Sequence, residues 1–199
     1  RLARSPHRSA PHAPFAPSPE NPTLRPVGGS LGTRTLNKAM KRHIDTLRSR
    51  DDVQVIWQNG KYYDREMAEF MQGHPCSNIW RGAFIDRMDY AYAAADVVIS
   101  RSGACSVSEL ALAGKAVIFV PSPNVAEDHQ TKNARALVDR NAALLIPDVE
   151  AIEKAIPAAL GLLSDTRRRA DLEHNIRLMA TPDAASRVAD EIIKLAKRK

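Results

Sequence analysis

The sequence predicts an α/β fold built on a doubly wound, Rossmann-like, mostly parallel sheet. Short β-branched runs alternate with segments of helical spacing, the pattern of consecutive βαβ units. Two of the runs, "DVVIS" ending at Ser100 and "AVIFVPSP" starting at Ala116, are apolar without alternation, as strands covered on both faces require. Small-residue turns follow these runs and lead into helices. No internal repeat with a period of roughly 20 to 50 residues is visible.

Residues 1–26 hold seven of the thirteen prolines and show no apolar periodicity. They are expected to form a disordered or aberrant N-terminal segment, with residues 27–199 as one domain. From Val27, "VGGSLGTRTLNKAMKRHIDTLRS" is a glycine turn running into a helix, with Leu36, Met40, Ile44 and Leu47 at helical spacing. "VQVIWQNG" reads as a strand closed by Asn59 and Gly60, "YDREMAEFMQ" as a short helix, and "NIWRGAFI" as the next strand. "RMDYAYAAAD" is helical and "VVISRSG" is a buried strand; the helix "CSVSELALAG" then ends at Gly114. After "AVIFVPSP" come the helix "QTKNARALVDRN" and the short strand "ALLIPD". The rest is helical, punctuated by Pro157 and Pro182, and restarts at "TPDAASRVADEIIKLAKRK".

Composition narrows the function classes. No apolar run approaches the roughly 20 residues that cross a bilayer, and the N-terminus lacks the apolar core of a signal peptide. Cys76 and Cys105 sit in unrelated contexts and offer neither a disulfide framework nor a metal-ligand pair, so a reducing, cytoplasmic setting is expected. The net charge of +6 lies largely at the chain ends, in Arg1, Arg4, Arg8 and the closing "KLAKRK". Aromatic residues make up only 5%, too few for a stacking platform, so no nucleic-acid partner is expected. Weak attraction to an anionic membrane surface fits the charge better.

In an open α/β sheet, ligands bind beyond the C-terminal ends of the strands. Three turns are expected at that edge: Gly28 to Gly32, Ser102 to Ser106 and Ser122 to Gln130. In "GGSLG" the glycines admit a close-lying phosphate and Ser30 adds a hydroxyl, yet the full dinucleotide fingerprint is absent. In "SGACSVSE" two readings compete. Ser106 and Glu109 match S-x-x-E, a capping box that would occupy Glu109 with backbone. Alternatively the helix starts near Ala104, its free N–H groups meet a phosphate, and Glu109 accepts hydrogen bonds from a ribose diol. Spacing alone favours the cap. In "PSPNVAEDHQTKN", His129 and Gln130 are candidates to bind a sugar, while Asp128 can equally cap the next helix. No Ser/His/Asp order, Walker A sequence or acid–base carboxylate pair is present. The residues alone thus describe an α/β domain that binds an anionic, nucleotide-like ligand.

"GGSLGTRTLN", "FIDRMDYAYAAADVVISRSGACSVSELALAGKAVIFVPSP" and "NVAEDHQTKNA", taken together and in this order, closely resemble the MurG family. These bacterial transferases add N-acetylglucosamine to the undecaprenyl-diphosphate-linked muramyl-pentapeptide of peptidoglycan synthesis. The likeness covers roughly residues 27–197 and corresponds to the family's C-terminal, donor-binding half. It implies half of a GT-B architecture, UDP-N-acetylglucosamine as donor, inverting transfer with no cofactor or metal, and a peripheral place on the cytoplasmic face of the inner membrane. It further implies that Ser30 touches the diphosphate and that Ile85 meets uracil through its backbone. Ala104, Cys105, Ser106, Val107 and Ser108 would supply N–H groups and hydroxyls to the phosphates, and Glu109 would hold the ribose. Gln130 would read the sugar hydroxyls with His129 beside it, although the family commonly has Gln at that second position. "ENPTLR" resembles a linker motif whose arginine contacts the donor, which makes Arg25 a further, weaker candidate. The catalytic base, the lipid-linked acceptor site and the membrane surface belong to the family's N-terminal domain, outside the likeness. The alternative is a non-catalytic nucleotide-sugar-binding subunit that needs a partner chain; a nucleotide-sugar epimerase on the same fold ranks below both.

Overall fold

The computed structural model describes residues 20–29 and 31–197. Strand β1 (Thr23–Val27) is followed by α1 (Arg34–Arg42), α2 (Ile44–Arg48), β2 (Gln54–Gln58), α3 (Asp64–Gln72) and β3 (Ile79–Gly82). The chain then builds α4 (Met88–Ala94), β4 (Val97–Ser100), α5 (Ala104–Ala113), β5 (Ala116–Phe119), α6 (His129–Val138) and β6 (Leu144–Leu145). It closes with α7 (Asp148–Ser164), α8 (Thr166–Arg177) and α9 (Ala184–Lys197). Among the described residues the sheet has six strands in the order β3-β2-β1-β4-β5-β6, and every pairing is parallel. The winding direction reverses between β1 and β4, which opens a crevice above their C-terminal ends.

Alternation along the strands sorts the core onto two faces. Leu24, Val97, Ile99, Ala116 and Ile118 pack with Met40, Leu47, Ala155 and Leu163 from α1, α2 and α7. Val27, Val98, Val117 and Phe119 point the other way, against Tyr92 of α4, Leu110 of α5 and Leu137 of α6. Both faces are covered, so β4 and β5 read as unbroken apolar runs.

Three elements depart from the expectation. First, β1 takes in residues 23–26, which the sequence assigned to the proline-rich segment, so the domain starts before Val27. A proline inside a central strand is unusual, and the register shows how it fits. Pro22 and Gly28 bond towards β2, through Gln54 N–H to Pro22 O and Gly28 N–H to Gln58 O, whereas Thr23 O accepts from Asp96 beside β4. By this alternation Pro26 turns its missing donor to β2, where the pairing skips from Leu24 to Val27. Its pairing with β4 runs unbroken from Leu24 to Val27. The rest of the proline-rich segment, residues 1–19, lies outside the described residues.

Second, β3 ends at Gly82, leaving Phe84 and Ile85 in the connection to α4. Third, Pro157 does not end its helix but lies inside α7. An interior proline costs about 3 kcal/mol. Here it sits on the exposed side, while Ala151, Ala155, Ile156, Ala159, Leu160, Leu162 and Leu163 are buried. At roughly 1.5 to 3 kcal/mol for each fully buried large aliphatic side chain, burial outweighs the proline. The last helix, α9, has no buried residue, and Val188, Ile192 and Leu195 stand exposed along it. Among the described residues no helix is long and apolar enough to cross a membrane.

Candidate functional site

The turns after β1, β4 and β5 end three neighbouring strands, so they meet at the edge where the winding reverses. Ser30, the first candidate, lies outside the described residues. Around it, Thr33 Oγ1 donates to Gly28 O at 2.9 Å and Gln58 Nε2 donates to Gly29 O at 3.2 Å, which ties the turn back to β1 and β2.

The second turn decides between the two readings of "SGACSVSE". Helix α5 begins at Ala104 with Gly103 at its N-cap, and no side chain caps it. Ser106 therefore lies inside the first turn, and the expected capping box does not form. Val107 N–H donates to Gly103 O at 3.0 Å, the first backbone bond of the helix. The N–H groups of Ala104, Cys105 and Ser106 have no intramolecular partner among the described residues. Val107, also expected among the phosphate donors, differs from these three: its N–H is engaged in the helix and its side chain packs on the core. Cys105 and Ser108 are exposed, while Ser106 is half-buried. Three such N–H groups at the positive end of a ten-residue helix are the arrangement that favours an anion.

Glu109 follows one turn later, half-buried, and its Oε2 accepts a hydrogen bond from Tyr92 Oη at 3.1 Å. Tyr92 is 5% exposed, with the Arg25 guanidinium 4.3 Å over its ring. Arg25 does not reach the crevice. It is fully buried on β1, its Nη2 donates to Met88 Sδ at 3.0 Å, and its Nε and Nη1 have no hydrogen-bond partner among the described residues. A linker arginine touching a donor was expected; strand pairing instead draws residue 25 beneath α4. Burial pushes the Arg25 guanidinium below its ordinary range, with Tyr92 and Glu109 only partly opposing this. Burial likewise raises the Tyr92 hydroxyl, so it stays protonated and donates.

The third turn is braced to the second. Ser102 Oγ donates to Gln130 O at 2.8 Å, and Asn133 Nδ2 donates to Ser102 O at 3.0 Å. Gln130 Oε1 accepts from Ser122 N–H at 2.9 Å, which leaves its amide nitrogen as donor. His129 is exposed and its Nδ1–H donates to Ala126 O at 2.9 Å. Ile85 is 1% exposed, packed with Ile56, Ala91 and Ala94. Only its backbone is available to a ligand, and that backbone has no partner among the described residues. No group of three or more His, Cys, Asp or Glu suited to a metal ion occurs among the described residues.

Sequence reasoning missed Tyr92, Ser102 and Asn133, the residues that hold the candidates in place. The available signal was the pair of tyrosines in the alanine-rich "DYAYAAAD", of which Tyr92 is the buried one, since a buried Tyr O–H seeks a partner.

A parallel sheet whose switch point carries an uncapped helix start and an adjacent carboxylate has the layout of a nucleotide-binding α/β domain. Residues 24–188 match the glycosyltransferase family 28 C-terminal domain, and the chain belongs to that family. It is 49% identical over 185 residues to the UDP-N-acetylglucosamine–N-acetylmuramyl-(pentapeptide) pyrophosphoryl-undecaprenol N-acetylglucosamine transferase of Parabacteroides distasonis, covering 93% of this chain and 50% of that protein. To the enzyme of the same name from Bacteroides fragilis it is 46% identical, over 99% of this chain and 52% of the relative. The chain thus spans about half the length of the curated relatives it matches. Among solved structures it is similar to MurG of Acinetobacter baumannii, with a TM-score of 0.74 and 30% identity over 97% of this chain and 55% of that one. A putative UDP-N-acetylglucosamine 2-epimerase from Listeria monocytogenes shares the fold alone, at a TM-score of 0.62 and 12% identity over 91% of this chain and 47% of that one.

Proposed function

We propose that this chain is the donor-binding half of an inverting N-acetylglucosaminyltransferase of peptidoglycan synthesis. It binds UDP-N-acetylglucosamine, whose sugar passes to undecaprenyl-diphosphate-linked N-acetylmuramyl-pentapeptide. The observation that carries this reading is the uncapped start of α5, with three free N–H groups one turn before Glu109. Breaking the anomeric C–O bond places negative charge on the departing UDP. Fixed N–H dipoles at a helix start stabilise that charge as it develops, without reorganising when it appears. In this reading the N–H groups of Ala104, Cys105 and Ser106, together with Ser30, hold the diphosphate. Glu109 accepts the ribose hydroxyls, the Ile85 backbone pairs with uracil, and Gln130 and His129 face the sugar. Acceptor binding and the catalytic base fall to the half of the relatives that this chain does not span. The work site of such a transferase is the cytoplasmic face of the bacterial inner membrane, where anionic lipid suits a chain of net charge +6.

Calorimetric titration with UDP-N-acetylglucosamine, UDP-glucose and UDP-N-acetylgalactosamine tests the reading. Selective binding of the first is expected, and binding of none of the three overturns it. Glu109→Ala is expected to weaken binding by about 1.5 to 3 kcal/mol, the range for hydrogen bonds to a charged group.

A further inference from the structure

We infer that Tyr92 is a positioning residue: its hydroxyl fixes the Glu109 carboxylate so that one oxygen is held and the other is presented to the ribose diol of a nucleoside diphosphate. The inference rests on the proposed role of Glu109 and extends it to a residue with no direct reach to the ligand.

The geometry is asymmetric. Tyr92 Oη is the one hydrogen-bond partner of Glu109 among the described residues, and it engages Oε2 alone. Oε1 has no partner among the described residues, on a half-buried side chain one turn after the free N–H groups of α5. A carboxylate receiving a vicinal diol must offer its acceptor in one orientation, and a glutamate free in χ3 does not hold one. The phenol supplies the restraint because it cannot itself swing. Its ring lies in the core with Val27, Val98 and Leu110, and the Arg25 guanidinium covers one face. The hydroxyl remains a donor across the neutral range, since burial and the neighbouring Glu109 both oppose its ionisation. The chain β1 to α4 to α5 therefore transmits the rigidity of a central strand to a ligand-facing carboxylate.

The test compares binding of UDP and 2′,3′-dideoxy-UDP, which lacks the diol, to the full chain and three variants. The unmodified chain is expected to prefer UDP by about tenfold or more, the equivalent of one charged hydrogen bond. Tyr92→Phe keeps the ring over which Arg25 sits but removes the hydroxyl. It should weaken UDP about fivefold and leave the dideoxy compound within about twofold, so the preference shrinks. Glu109→Ala should abolish the preference, and the double variant should bind UDP no more weakly than Glu109→Ala alone. If Tyr92→Phe weakens both ligands equally, or weakens neither, Tyr92 is merely structural and the inference fails while the role of Glu109 stands. If Glu109→Ala retains the preference for UDP, the ribose reading and the inference fall together. Thermal unfolding of each variant confirms that the folded chain is being titrated.

Discussion

Replacing Arg25 with methionine is expected to stabilise the chain by about 2 kcal/mol, within the range seen when buried charges give way to apolar residues of similar volume. For a chain of this size that corresponds to a melting temperature about 4–8 °C higher. Arg25 has no exposed surface, and two of its guanidinium nitrogens have no hydrogen-bond partner among the described residues. It lies on β1 opposite Val98, on the face that Val27, Val117 and Phe119 line with apolar side chains. Against its burial stand the Tyr92 ring at 4.3 Å and the Met88 sulfur at 3.0 Å. A desolvated cation–π contact contributes about 2 kcal/mol and sulfur is a weak acceptor, whereas burying an ion costs several kcal/mol. Burial also depresses the Arg25 pKa, which has the sign of a charged form that is less favourable folded than unfolded. Methionine follows the same path and reaches the same sulfur-lined corner without the charge. A melting temperature that is unchanged or lower would show that the cation–π stack outweighs the desolvation.

The opposite sign is expected at Gly60. Gly60→Ala should destabilise by about 3 kcal/mol or more, combining an unfavourable backbone conformation with a steric clash. That lowers the melting temperature by about 6–12 °C. Gly60 has φ 84° and ψ 152°, a region that is essentially glycine's own. A Cβ built there would overlap the backbone nitrogen and Cα of Gly32, which no side-chain rotation relieves. The two glycines let the turns after β1 and β2 pass in direct contact, with Tyr62 N–H donating to Leu31 O at 3.3 Å. The variant should therefore weaken UDP binding as well as stability. Gly161→Ala serves as the control, because its Cβ meets nothing within 4 Å in the interior of α7. It is expected to stabilise by about 0.5–1 kcal/mol through the unfolded state. Gly60→Ala melting within a degree of the unmodified chain would sink the steric argument.

The sheet was legible because strands covered on both faces are written as uninterrupted apolar runs, and "VVIS" and "AVIF" are such runs. β1 was harder to bound: "TLRPV" carries a charge and a proline in a central strand, and only the pairing on its two edges explains how it is accommodated. Pro157 misled in the same way, since local chemistry predicts a stop that the buried side of α7 overrides. At the site, the sequence located the three turns but could not choose between cap and ligand for Glu109. S-x-x-E satisfies both readings, and the choice depends on whether the helix starts at Ala104 or at Ser106. Tyr92 and Ser102 were out of reach for a different reason. Their partners lie 17 and 28 residues away, brought close only by the order of the strands.

Ser102 has one more consequence. Through its hydroxyl and its carbonyl it fastens the first turns of α6, at Gln130 and Asn133, to the turn that opens α5. The groups assigned to the diphosphate and to the sugar are thus ordered before any ligand arrives. The conformational entropy of bringing them together is spent when the chain folds rather than at each encounter. In the proposed role a nucleotide sugar would meet a template already set, so its association would not wait for these turns to find their shape.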